Sequence, residues 1–117
     1  MTVESDIVNA LAGLVDGRVF PDEAPFGTEA PYVTYHQAGG EPLNFLEGIP
    51  DKRNGRFQFV VWATSRPEAS RLIRQIEDTL RLDPKLLAHT LGGALGLRQS
   101  DLDLFGATQD FSIWFTD

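Results

Sequence analysis

Residues 56–80 read RFQFVVWATSRPEASRLIRQIEDTL and join a strand pattern directly to a helix pattern. Apolar side chains alternate from Phe57 to Ala63, which predicts a strand with one face on a core. The other face starts polar at Arg56 and becomes apolar at Trp62, so we expect part of that face to be covered as well. This strand–helix unit is the segment from which the rest of the fold is predicted.

The helix that follows begins with the capping-box pattern S-R-P-E at residues 65–68. Ser65 is expected to accept a hydrogen bond from the amide three residues on, and Glu68 to reach back to the cap. Pro84 predicts the end of the helix, because the residue before a proline is disfavoured in helical conformation. The predicted core-facing stripe is Ala69, Leu72, Ile73, Ile76 and Leu80. Predicted to face water, with ion pairs along the helix, are Arg71, Arg74, Gln75, Glu77 and Asp78.

Upstream of this unit, the sequence predicts one helix and two strands. Residues 3–15 carry apolar side chains at three- and four-residue spacing and follow the N-cap candidate Thr2. Residues 18–20 form a short strand pattern, and residues 32–38 a longer one rich in β-branched and aromatic side chains. The prolines and glycine of residues 21–31 predict a loop between them.

Downstream of residue 84 the patterns are less regular. Residues 85–94 fit either a short helix or an irregular turn. Residues 95–104 alternate in part, Gly106 suggests a turn, and residues 109–116 form a final strand pattern. The order α-β-β-β-α-β-β therefore predicts one α+β domain over residues 1–117, with a mainly antiparallel five-stranded sheet and both helices on one face.

Composition excludes several functional classes. The chain has 117 residues, no cysteine and a formal net charge of −7. The absence of cysteine excludes a disulfide framework, an iron–sulfur cluster and a thiolate zinc site. The acidic balance disfavours binding to a nucleic acid backbone or to an anionic membrane, and no apolar run approaches the ~18 residues of a membrane span.

Every candidate for catalysis has a simpler structural interpretation. His36 and His89 are two possible ligands where a metal site needs three or four. Ser65 lies at a strand-to-helix turn, but helix capping explains it. Asp101 and Asp103 are predicted to share a strand face, where acids protect a sheet edge. The glycine-rich residues 91–97 match neither a dinucleotide fingerprint nor a P-loop. We predict no catalytic, cofactor or metal site, and no enzyme.

The connection at about 39–55 is too long for an ordinary loop and rich in large apolar side chains. It either folds back on the sheet as a lid or docks, as a flexible loop, on another subunit. Its basic residues would complement an otherwise acidic surface in a head-to-tail contact between identical copies. The predicted interface residues are Leu43, Phe45, Leu46, Ile49, Asp51, Lys52, Arg53 and Arg56.

Taken in order, these segments resemble the tail completion or tail terminator family, minor tail proteins of long-tailed bacteriophages and prophages. The resemblance rests on the first helix followed by GRVFPDEAP at residues 17–25, PYVTYHQAGGEPLNFLEG at 31–48, the stretch 56–80, and DFSIWF at 110–115. Residues 85–94 depart from the expected pattern. No single piece is a specific motif, and the ordered series carries the resemblance.

The resemblance implies a structural protein of the virion tail, assembled in the host bacterial cytoplasm. Such a protein forms a ring, commonly a hexamer, on the head-proximal end of the tail tube, ends tail polymerisation and enables head–tail joining. Its partners would be other copies of itself, the major tail tube protein and a head-completion or connector protein. DNA would pass through the acidic bore without specific binding. There are two alternatives: a head-completion or connector stopper protein of the same particle, and a small ligand-binding α+β domain.

Overall fold

The computed structural model describes residues 2–40 and 53–116, which form a five-stranded sheet and two α-helices. The strand order across the sheet is β1-β2-β3-β5-β4. The α+β class and the predicted order of elements are confirmed. The elements are α1 (Val3–Leu11), β1 (Val19–Pro21), β2 (Tyr32–Gln37), β3 (Arg53–Ala63), α2 (Arg66–Leu82), β4 (His89–Gln99) and β5 (Leu104–Phe115).

The sheet is mixed but mainly antiparallel. Only β1 and β2 run parallel among the described strands, with Val19 opposite Val33. The central pair is β3 and β5, which stay in register from Arg53 opposite Phe115 to Ala63 opposite Phe105. Because β3 and β5 are long and pair over nearly their whole length, they form the middle of the sheet, beside which the other strands are arranged.

The first helix is capped as the sequence predicts but is shorter. Thr2 Oγ1 accepts a hydrogen bond from the Ser5 amide, and Ser5 Oγ accepts one in return from the Thr2 amide. The α-helical geometry ends at Leu11, and a 3-10 turn over Ala12–Leu14 covers most of the remaining predicted length. Neither described helix is long and apolar enough to cross a membrane.

The second helix is capped by Ser65, whose Oγ accepts from the Glu68 amide at 3.3 Å. The reciprocal half of the predicted box differs by one residue, because the Glu68 carboxylate accepts from the amide of Thr64 and not of Ser65. The helix ends at Leu82, and Asp83 is extended, as expected before Pro84.

One hydrophobic core lies between the two helices and a single face of the sheet. Phe57, Phe59 and Phe111 are fully buried at its centre, and the rings of Phe59 and Phe111 meet edge to face with centroids 5.5 Å apart. Helix α2 packs on β5, β3 and β4, and α1 packs beside α2 and on β1. The sheet face opposite the core carries no helix in the described part of the chain.

The structure corrects the start of β3 and the boundaries in the C-terminal third. Strand β3 begins at Arg53, three residues earlier than predicted. Residues 85–88 form an irregular turn, one of the two alternatives for residues 85–94, but from His89 onward the chain is a strand, which neither alternative predicts. Gly106 lies inside β5 and makes no turn; the chain reverses at residues 100–103. Long-range pairing with β3 overrides the local turn preference of this glycine.

Candidate assembly interface

The helix-free face of the sheet has an apolar end. There, Tyr32 lies opposite Trp62, and Val60 opposite Thr34. The Trp62 ring lies against Gly106, where a Cβ atom would come within 2.7 Å of two ring carbons. Trp62 and Val60 are thereby half-buried without a covering helix, and burial raises the pKa of the Tyr32 phenol. The partial burial predicted for this face therefore comes from contacts with residues of the neighbouring strands, such as Tyr32 and Gly106.

The other end of the same face is polar and is organised by an ion pair. Arg56 donates from Nε at 2.9 Å and from Nη2 at 2.7 Å to the same carboxylate oxygen of Asp110. The Arg56 side chain remains 51% exposed, whereas that of Asp110 is 18% exposed. Arg56, one of the basic residues predicted to contact a neighbouring subunit, is therefore already paired with an acid of its own chain.

A cavity of about 430 Å³ opens beside this ion pair, where the described chain stops at Gly40 and resumes at Arg53. Asn54 donates from Nδ2 to Ser112 Oγ at 2.7 Å on its wall. The cavity combines hydrogen-bonding groups with apolar surface. Its lining residues are Ala38, Gly40, Asn54, Arg56, Leu91, Ser112 and Trp114.

Two of the eight predicted interface residues, Arg53 and Arg56, are described, and both are exposed on β3. They are three residues apart, so their side chains point to opposite faces of the strand. Outside the described residues lie the other six predicted interface positions: Leu43, Phe45, Leu46, Ile49, Asp51 and Lys52.

The candidates for metal binding are not brought together. His36 on β2 and His89 on β4 lie on strands separated by two others, about 14 Å apart at the usual strand spacing. Among residues 2–40 and 53–116, no three metal-ligating side chains of this kind cluster.

The other candidates for chemistry are occupied by structural roles. Ser65 caps α2. Asp101 and Asp103 were predicted on a strand face but lie in the turn between β4 and β5, where Asp103 pairs with Arg98 at 2.8 Å. The glycine-rich residues 91–97 belong to β4, which has an irregularity between Leu91 and Leu95.

Sequence reasoning missed the exposed aromatic residue Phe26. Phe26 lies in the loop between β1 and β2 and is fully exposed. The loop was predicted from its prolines, and the signal for its apolar tip is a large aromatic placed between Pro25 and Gly27, inside a turn sequence.

No curated protein matches the chain in sequence. A protein-family model does match it, over residues 7–116, which takes in the second half of α1, all of α2 and every strand described above. That family is described as "Tail completion protein gp17", and with nearly the whole chain matched, the protein belongs to it.

Proposed function

We propose that this chain assembles as a ring on the head-proximal end of the phage tail tube, where it ends tube polymerisation and provides the surface for joining to the head. Family membership makes it a phage tail completion protein and a component of the virion tail that contacts other tail or head proteins. Our proposal adds three points to this: that the copies form a ring, that the ring is a hexamer, and that its partners are the tube protein and the connector.

The match to the tail completion family over residues 7–116 carries the proposal. A structural and non-enzymatic role agrees with the site, because Ser65, Asp103 and Arg56 are each engaged in caps or ion pairs. The connection at about 39–55 is proposed as one subunit contact. It leaves the sheet beside the 430 Å³ cavity, so apolar side chains such as Phe45 and Leu46 from a neighbouring copy would find mixed polar and apolar surface there.

The test is electron microscopy of lysates from the phage that encodes this chain, with and without its gene. Overlong tails beside unattached filled heads are the expected result in the deletion. Tails of normal length that fail to join would assign the chain to head completion, the second candidate. Normal infectious particles would overturn a role in the virion.

Complementation of the deletion then tests the subunit contact. Phe45→Asp and Leu46→Asp are expected to leave the deletion phenotype in place, because a charge in an apolar contact is costly to desolvate. Leu102→Asp is the matched control, since Leu102 is an exposed apolar residue in the turn between β4 and β5 and should complement normally. Full complementation by all three variants would contradict the proposed contact.

The acidic balance of the chain also fits a ring through which DNA passes. With a net charge of −7 per copy, a bore lined by acids repels the DNA backbone and prevents adhesion. Neutralising the acids that line the assembled bore is expected to slow DNA ejection. Ejection and infectivity at wild-type levels in such variants would remove this part of the proposal.

A further inference from the structure

An acidic loop with an aromatic tip projects from one side of the fold. Residues 22–31, named here the Phe26 loop, connect β1 to β2 at the edge of the sheet. The Phe26 side chain is fully exposed, and the charged residues around it, Asp22, Glu23 and Glu29, are all acidic and exposed. An isolated aromatic within acidic surroundings is typical of an anchor for an apolar site with a basic rim.

Hydrogen bonds hold this loop in place. The Asp22 amide donates to the Tyr35 carbonyl at 2.8 Å, and Arg18 Nε donates to the Pro31 carbonyl at 2.9 Å, which ties both ends to the sheet. Inside the loop, the Thr28 amide donates to the Pro25 carbonyl at 3.1 Å. A loop that is ordered before binding loses less conformational entropy when it docks, so an exposed aromatic on it is an efficient contact.

A complementary surface lies on α2. Arg71, Arg74, Arg81 and Leu82, named here the basic α2 face, are all exposed, with Leu82 exposed by 82%. Arg74 follows Arg71 by three residues, Arg81 follows Arg74 by seven, and Leu82 follows Arg71 by eleven, so all four lie along one side of the helix. Asp78 is the one exposed acid within α2.

The charges of this face are not neutralised by the described part of the chain. Within the described residues, 2–40 and 53–116, the ion pairs involve Arg18, Arg56 and Arg98. None of them involves an arginine of α2. Glu77, which the sequence predicted to pair along the helix, accepts instead from Gln109 Nε2 at 2.9 Å. The predicted ion pairs of Arg71 and Arg74 with Glu77 and Asp78 are therefore wrong, and this face presents net positive charge on a protein whose total is −7.

The two surfaces lie on different sides of the molecule. The Phe26 loop follows β1, the outermost strand on one edge, whereas α2 packs on β3, β5 and β4 toward the other edge. Helix α1 packs on β1 and against α2, between the two surfaces. Complementary patches at separate positions of one chain produce head-to-tail contacts between copies, and such contacts close into a ring when the rotation between copies permits.

We propose that the Phe26 loop of one copy docks on the basic α2 face of the next, with Phe26 against Leu82 and the acids of the loop against Arg71, Arg74 and Arg81. This contact rests on the ring of the proposed function and is separate from the contact assigned to residues 39–55. Charge complementarity selects a second copy as the occupant, because both halves of the match are present on this chain.

Cross-linking on assembled tails tests who the neighbour is, and the chain's lack of cysteine provides a clean background. Phe26→Cys combined with Leu82→Cys, treated with a short bis-maleimide, is expected to produce a ladder of covalent multimers of this chain. Phe26→Cys combined with Leu102→Cys is the control, since Leu102 is exposed but lies in the β4–β5 turn, and it should produce no ladder. Cross-links from Phe26→Cys to a different virion protein, or equal ladders from both pairs, would overturn the proposal.

A charge swap provides the second measurement. The loop variant Glu23→Arg/Glu29→Arg and the helix variant Arg71→Glu/Arg74→Glu should each lower the infectious titre in complementation by at least about tenfold, through like-charge contact. Their combination in one chain should restore the titre to within about threefold of wild type, because every interface regains opposite charges. The control Asp101→Arg changes an exposed turn residue and should complement normally.

These experiments distinguish failure of the proposed loop–helix contact from failure of the proposed tail function. Loss of tails in the deletion and its repair by the wild-type chain test the tail role alone. If the wild-type chain complements but the combined swap does not recover, the contact between loop and helix is wrong while the tail role stands. All substituted side chains are exposed, and thermal melting of each purified variant confirms that it folds.

Discussion

At the scale of single residues, the Trp62 ring packs closely on Gly106. A Cβ atom on Gly106 would lie 2.7 Å from the Cε3 and Cζ3 atoms of the indole. Gly106→Ala should therefore lower the free energy of unfolding by about 1–3 kcal/mol, since the ring must shift to relieve the clash. Urea denaturation of the purified chain measures this.

Gly93→Ala is the matched control, because no atom lies within 4 Å of its added Cβ and its φ is not in the left-handed region. It should change stability by less than about 0.5 kcal/mol. Equal effects of the two variants would show that contact with Trp62 does not control the result.

At the scale of elements, Arg66 joins the start of α2 to both strands of the C-terminal hairpin. Its Nη2 donates to the Leu97 carbonyl on β4 at 2.6 Å, and its Nη1 donates to the Gly106 carbonyl on β5 at 2.7 Å. Arg66→Met retains the side-chain stem but loses both bonds, so we expect a loss of about 2 kcal/mol, because charged donors make the stronger hydrogen bonds.

Arg71→Met in the isolated chain serves as the comparison, since Arg71 is exposed on the same helix. Its effect should stay within about 0.5 kcal/mol. Hydrogen exchange should in addition show faster exchange of β4 amides in Arg66→Met alone. Unchanged exchange in β4 would mean that β5 holds the edge strand without help from the helix.

At the scale of the whole molecule, the fold brings three distant segments together around Tyr35. Burial raises the pKa of its phenol, and the negative charges of Glu4 on α1 and Asp22 after β1 raise it further. As pH rises above about 10, the unfolded chain releases this proton before the folded chain does, so the free energy of unfolding falls. Below that pH, the phenol is protonated in both states and has no effect.

Tyr35→Phe removes this proton release, so its urea midpoint should decline less between about pH 10 and 11.5 than that of the wild-type chain. The midpoints of the two proteins should run parallel below about pH 9. Equal declines in the alkaline range would place the pH sensitivity in other groups, such as the two lysines or Tyr32.

Features that depend on near neighbours can be predicted from the amino-acid sequence alone. The Ser65 cap and the end of α2 before Pro84 follow from contacts within four residues. The alternation in β3 follows from its period of two. Such signals also support the α+β class and the ordered resemblance to tail completion proteins, since each element has its own local pattern.

Features that depend on partners far along the chain follow from the tertiary packing and have no local sequence signal. Arg56 pairs with Asp110, 54 residues away, and no local pattern indicates that partner. Strand β4 begins at His89, and Gly106 stays within β5, because hydrogen bonds from neighbouring strands outweigh the turn preference of glycine. The Phe26 loop and the basic α2 face acquire their positions in the same way, since the packing of the sheet and helices sets which side chains are left exposed and where they lie.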